Sequence, residues 1–145
     1  MDVKNAFLNS HLIDEVYMCP PPGLLHSFGQ VCHLRRALYG LKQSPRAWYD
    51  RFQTAVTELR LHPPTSDSAL FFRHTSVGFV ALLLYVDDMI ITTSDSSGIS
   101  EVKQHLFHTF KMKDLDPLRY FLGIEIASFP KGYFLFQAKY ANEVI

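Results

Sequence analysis

Two adjacent carboxylates interrupt the longest apolar stretch of this chain. Tyr85-Val86-Asp87-Asp88 follows Phe79-Val80-Ala81-Leu82-Leu83-Leu84 and precedes Met89-Ile90-Ile91. Apolar, strand-forming residues on both sides of a short polar step read as two strands joined by a tight turn, a hairpin that presents Asp87 and Asp88. A carboxylate buried without a partner forfeits roughly several kcal/mol of hydration, so such a pair belongs at a turn facing water, against a cation, or on a metal. Strand alternation alone would send the two side chains to opposite faces, so a turn or bulge is needed for both to approach one point. The plainer reading is an acidic hairpin tip, since Asp is a favoured turn residue.

A second block is legible on its own terms. In Ala37-Leu38-Tyr39-Gly40-Leu41-Lys42-Gln43-Ser44-Pro45-Arg46-Ala47-Trp48-Tyr49, Gly40 permits close approach of another backbone, and Ser44 can cap a helix that has Pro45 at its first position. Trp48, Phe52, Val56 and Leu59 then recur at helical spacing. Arg35, Arg36, Lys42, Arg46 and Arg51 cluster around the start of this helix against the single acid Asp50, in a chain whose 14 Lys+Arg and 14 Asp+Glu cancel. Such a patch suits a nucleic-acid backbone, and equally a solvated helix face.

Together with Asp2-Val3-Lys4-Asn5-Ala6-Phe7-Leu8-Asn9 at the start, these blocks closely resemble, in order, the reverse transcriptase of copia-type retrotransposons. Phe110-Lys111-Met112-Lys113-Asp114-Leu115 and Tyr120-Phe121-Leu122-Gly123-Ile124-Glu125-Ile126 extend the resemblance over essentially the whole chain. It implies RNA-directed DNA polymerisation, the transfer of a nucleotidyl group from a dNTP to a primer 3′-hydroxyl on an RNA or DNA template. It also implies two Mg2+ ions, or Mn2+ in their place, held by Asp2 and Asp87 with Asp88 in support. Hard carboxylate oxygens suit magnesium. Two ions roughly 3.5–4 Å apart would activate the hydroxyl and stabilise the charge on the phosphate.

Further roles are implied by the same resemblance. Val3, Lys4, Asn5 and Ala6 would offer backbone N–H groups to the triphosphate, and Phe7 would crowd the sugar 2′-position and exclude ribonucleotides. Without the family, Phe7 reads as a core residue. Tyr39, Gly40 and Lys42 would border the nucleotide, and Ser44, Pro45, Arg46, Tyr85 and Val86 the template and primer. Leu122 and Gly123 fall in the segment resembling the primer grip, with Gly123 at the close approach of that backbone. Lys111 or Lys113 would be the general acid that protonates the leaving pyrophosphate; a lone lysine otherwise serves solubility.

With 48% hydrophobic and 14% aromatic residues, the 145-residue chain can bury one ordinary core. The order of elements predicts an α+β fold, an antiparallel polymerase-palm sheet with helices on one face. Extended segments are expected over 16–18, 31–38, 69–73, 79–85, 89–93, 120–127 and 133–137, and helices over 45–59 and 99–110. Cys19 and Cys32 read as free or buried thiols, and His105 and His108 as solvated. No apolar stretch approaches the ~20 residues of a membrane span.

Under the resemblance, residues 1–145 are a partial reverse transcriptase domain with fingers, thumb and ribonuclease H segments absent. Asp2 is expected to lack the strand that would hold it, leaving an open sheet edge. The chain is then a palm fragment, inactive by itself and completed by the remainder of the Pol polyprotein, within a cytoplasmic retroelement particle if expressed. The alternatives are a nucleic-acid-binding remnant without catalysis and a remnant that does neither.

Overall fold

The computed structural model describes residues 1–115 and 117–144. The chain divides into two compact units, Met1–Lys113 and Asp114–Ile145, where composition alone pointed to one core.

In the first unit, β1 (Asp2–Val3) runs into a single 3-10 turn (Ala6–Asn9), then into β2 (His11–Met18) and β3 (Cys32–Arg36), which pair as a separate antiparallel ribbon. Helix α1 (Ser44–Thr57) comes next, then β4 (Leu70–Thr75), β5 (Gly78–Tyr85), β6 (Asp88–Thr93), α2 (Ser96–Thr109) and β7 (Met112–Lys113). Five strands form one antiparallel sheet in the order β4-β5-β6-β1-β7.

Alternation along β5 decides which face is covered. Val80, Leu82 and Leu84 are buried, and across the ladder Leu84 pairs with Met89, also buried. These side chains meet Trp48, Phe52 and Val56 of α1 and Val102 and Leu106 of α2 in one core, capped by Phe71 and Phe110. Trp48 meets Phe110 edge-on and Phe52 stacks on it, with ring centroids 5.1 and 5.9 Å away. The opposite phase of the same strands, Leu83 and Tyr85 in β5 and Asp88 and Ile90 in β6, lies on the other face. The expected α+β layering, with helices on one face of an antiparallel sheet, is the layering found.

The expected open edge beside Asp2 is not found. β1 lies between β6 and β7, with Asp2 opposite Asp88 on one side and Lys113 on the other. Two residues are too few for a periodic signal, so only the pairing reveals them as a strand.

Both helices start differently from expectation. The residue flanking α1 is Gln43, without a side-chain cap, and the Ser44 hydroxyl donates instead to the Leu38 carbonyl at 2.6 Å. Helix α2 begins three residues early because the Asp95 carboxylate accepts from the Ser97 and Gly98 N–H groups. Its pKa is lowered by the Ser97 hydroxyl first and the Gly98 N–H next. His105 is not simply solvated: its Nε2 lies 3.0 Å from the Ala55 carbonyl and 3.4 Å from Glu58, joining α2 to α1.

The second unit contains β8 (Tyr120–Phe121), β9 (Ile124–Phe129), β10 (Gly132–Phe136) and α3 (Ala138–Val144). Its three strands pair antiparallel in the order β10-β9-β8. None of its described residues is buried. Cys19 and Cys32 are free, and no helix among the described residues is long and apolar enough to cross a membrane.

Candidate active site

The β5–β6 hairpin closes with a two-residue turn. Tyr85 pairs with Asp88, so Val86 and Asp87 are its central residues and Asp88 is already the first residue of β6. Directly opposed residues of an antiparallel ladder share a face. Tyr85, Asp88, Asp2 and Lys113 therefore form a row across β5, β6, β1 and β7, on the face away from the helices. Asp87 projects from the turn beside that row.

Long-range hydrogen bonds set the turn. Val86 takes φ +51°, a left-handed conformation that is a genuine outlier for a β-branched residue. The indole Nε1–H of Trp48 donates to the Val86 carbonyl at 2.8 Å, and the Val3 N–H donates to the Asp87 carbonyl at 2.8 Å. The Tyr39 hydroxyl faces both Asp87 carboxylate oxygens, at 2.6 and 2.7 Å. Behind Tyr39 lies Phe7, buried, its ring centroid 4.4 Å from that of Tyr39.

Electrostatics register the crowding of like charge. Asp88 has its pKa raised, by burial first and then by the negative charge of Asp2, with Asp87 adding to it and the Met1 amino group opposing. The Tyr39 phenol is pushed up to about 12 by loss of solvent, then by its hydrogen bond to Asp87 and that carboxylate's charge. Clustered carboxylates whose mutual repulsion raises a pKa are the donor chemistry of a divalent-cation site. The residues fit such an ion in kind. Among the described residues, however, no three His, Cys, Asp or Glu side chains gather closely enough to hold a metal. Asp87 is engaged with Tyr39 rather than converging on Asp2 and Asp88.

The family model described as reverse transcriptase (RNA-dependent DNA polymerase) matches residues 1–145. The chain belongs to this family. It is 40% identical over 147 residues to the retrovirus-related Pol polyprotein from transposon RE1 of Arabidopsis thaliana, covering 100% of this chain and 10% of that protein. Identity is 39% over 150 residues to the corresponding polyprotein from transposon TNT 1-94 of Nicotiana tabacum, covering 100% of the chain and 11% of the relative. A putative transposon Ty5-1 protein of Saccharomyces cerevisiae is 33% identical over 134 residues, 91% of this chain and 44% of its own length. The chain thus spans about a tenth of the first two, which are larger Pol polyproteins. No solved structure matches it.

Within this reverse transcriptase domain, the sequence-derived site residues fall into three groups. Asp2, Asp87, Asp88, Tyr85, Val86, Tyr39, Phe7 and Lys113 are joined by the ladder and the contacts above. The segment Val3 to Ala6 is only partly free to face a triphosphate: Val3 N–H bonds Asp87 and Lys4 N–H bonds the Lys111 carbonyl at 2.9 Å, because β1 needs both for pairing. Ala6 is buried at the start of the 3-10 turn, next to Phe7. Lys111 and Lys113 separate, with only Lys113 opposite Asp2.

The start of α1 is open. Gly40 takes φ +92° with open space where a Cβ would lie, so the turn conformation, rather than a neighbouring backbone, requires glycine. Lys42, Pro45 and Arg46 are exposed, and Arg46 lies 3.9 Å from Asp50. Arg51 sits over the Phe110 ring at 5.6 Å, and Arg36 reaches the Leu8 carbonyl. Leu122 and Gly123 make the β8–β9 turn of the second unit, with φ +50° and +84°. As at Gly40, the conformation requires the glycine; the nearest atom to a Cβ there is Gln137 Nε2 at 3.8 Å.

Sequence reasoning missed Trp48 as a participant in the turn. Its helical spacing marks it as core, which it also is, and nothing in the pattern distinguishes an indole that donates outward. A groove of about 560 Å³ lined by Arg60, His62, Pro63, Phe72 and His74 runs along β4, at the sheet's far side from β1. The carboxylate row lies on an open surface instead.

Proposed function

We propose that this chain is the palm of a retrotransposon RNA-directed DNA polymerase, and that Asp2, Asp87 and Asp88 are its metal-binding carboxylates. The observation that carries this reading is the register of Asp2 directly opposite Asp88, on the open face and beside the turn bearing Asp87. Two divalent cations, when bound, would supply the Lewis acidity that activates a primer hydroxyl and stabilises the charge of nucleotidyl transfer. The protein's own contribution is to fix the donors. Strand pairing on both sides of β1 holds Asp2, and the Trp48 and Val3 hydrogen bonds hold the turn.

Phe7 supports the reading through its position. It is buried yet borders Tyr39 next to the carboxylates, where a rigid ring can exclude a sugar 2′-hydroxyl. Lys113, exposed and opposite Asp2, is the better of the two lysines for protonating a leaving group at this face. The template, primer and dNTP belong to the activity of a longer Pol polyprotein, and by this reading the chain does not polymerise by itself.

The test is primer extension on a homopolymer RNA template with magnesium or manganese. The chain is compared with a longer Pol protein that includes it, and with Asp87→Asn in that protein. Incorporation by the longer protein, abolished by Asp87→Asn, is the expected result. Extension that persists in Asp87→Asn would remove Asp87 from the chemistry. Salt-sensitive nucleic-acid binding without any extension would favour the binding remnant.

A further inference from the structure

Tyr39 occupies a group that the proposed site needs free. Its hydroxyl oxygen lies 2.6 and 2.7 Å from the two oxygens of Asp87, on the edge of the carboxylate that a cation would take. The phenol thus satisfies that carboxylate with a neutral group.

We propose that Tyr39 is a latch on the reverse transcriptase site, holding Asp87 in a closed arrangement that a divalent cation must break to bind. This rests on the assignment of Asp87 as a metal ligand. A hydrogen bond to a carboxylate is among the stronger ones, so the latch competes measurably with a cation. Its placement suits release. Tyr39 is 51% exposed, and the next residue, Gly40, turns at φ +92° into open space. The base of that turn is anchored instead, at the Leu38 carbonyl, which accepts from Ser44 Oγ and from the Leu41 N–H. The tip can therefore leave Asp87 while α1 stays in place.

The sign of one variant separates this from the alternatives. Tyr39→Phe keeps the ring against Phe7 and removes only the hydroxyl, so the latch predicts that Mn2+ alone binds about tenfold more tightly. A purely structural tyrosine predicts weaker binding, and a residue that only touches nucleotide predicts no change. Free Mn2+ is followed by electron paramagnetic resonance in the chain, in Tyr39→Phe and in Asp87→Asn, with circular dichroism to check folding. A second readout needs no variant to bind metal: the 13Cζ resonance of Tyr39 in the unaltered chain should shift as Mg2+ saturates.

Tighter Mn2+ binding by Tyr39→Phe together with that shift supports the latch. Equal or weaker binding by a folded Tyr39→Phe overturns it, as does a Tyr39 resonance that ignores saturating Mg2+. In those cases loss of binding in Asp87→Asn would leave the metal assignment standing. If Asp87→Asn binds Mn2+ as well as the unaltered chain, the metal assignment fails and the latch with it.

Discussion

Of the four hairpins closed by two-residue turns among the described residues, two put a large apolar residue in the left-handed region: Val86 at φ +51° and Leu122 at φ +50°. The second turn residue is where they part. At the β8–β9 turn Gly123 continues at φ +84°, the pair of positive angles of a type I′ turn, which a glycine at the second position favours. At the β5–β6 turn Asp87 comes next without a positive φ, the signature of a type II′ turn, whose first position is normally glycine. Val86 occupies that glycine position, so its local chemistry opposes the turn it makes.

The two turns are accordingly held in different ways. Trp48, Val3 and Tyr39, residues distant in sequence, grip the Val86-Asp87 turn. Strain that persists because surrounding structure over-determines it collects at functional sites. The difference between the turns marks the first hairpin as the one whose conformation its surroundings impose, and the proposed site lies there.

Removing the grip should have the largest effect. Trp48 is 2% exposed, packs on Phe52 and Phe110, and donates to the Val86 carbonyl. Trp48→Ala is expected to cost about 3–5 kcal/mol, read as a lower urea midpoint by far-UV circular dichroism. Trp48→Phe retains most of the ring and isolates the hydrogen bond, and it should cost about 1 kcal/mol, the net worth of one part-buried hydrogen bond. A negligible loss in Trp48→Phe would mean that the turn stands without the indole.

Relieving the strain is the next step down. Val86→Asn and Leu122→Asn each place a residue that tolerates the left-handed region, and both positions are well exposed, so little packing is lost. Each should raise stability by about 1 kcal/mol. If only Leu122→Asn stabilises, Val86 has packing that repays its conformation, and the two turns differ more than their angles indicate.

How much of this was legible in the sequence varies by element. Strands β5 and β6 announce themselves, because the apolar runs Phe79 to Leu84 and Met89 to Ile91 are separated by one short acidic step. Helix α1 is legible from Trp48, Phe52 and Val56. Strands β1 and β7 are not, since two residues each carry no period, and their pairing depends on partners more than 80 positions apart in the case of Met1 and Met89. The tie from Tyr39 to Asp87 spans 48 positions and has no local signature. Asp95 could have been found, as an Asp followed by Ser-Ser-Gly at a helix start is a capping signal.

The smallest predicted effect concerns charge rather than strain, and it adds a second cost to the first turn. Asp88 is raised above its ordinary 3.8 by burial, then by Asp2 and Asp87. Between 3.8 and the raised value the folded chain retains a proton that the unfolded chain has released. Stability therefore falls as pH rises through that window, and the whole penalty is present above it. Asp88→Asn removes the titration, so thermal melts from pH 4 to pH 8 should show a flatter dependence. Its gain near neutrality should be no more than about 1 kcal/mol, because partial exposure screens the repulsion. Added Mg2+ should erase the difference in the opposite direction, stabilising the unaltered chain more than Asp88→Asn, since only the former offers a full set of carboxylates. Parallel pH profiles in the two proteins would show that neither burial nor the charges of Asp2 and Asp87 raise Asp88, and the first turn would then differ from the second in strain alone.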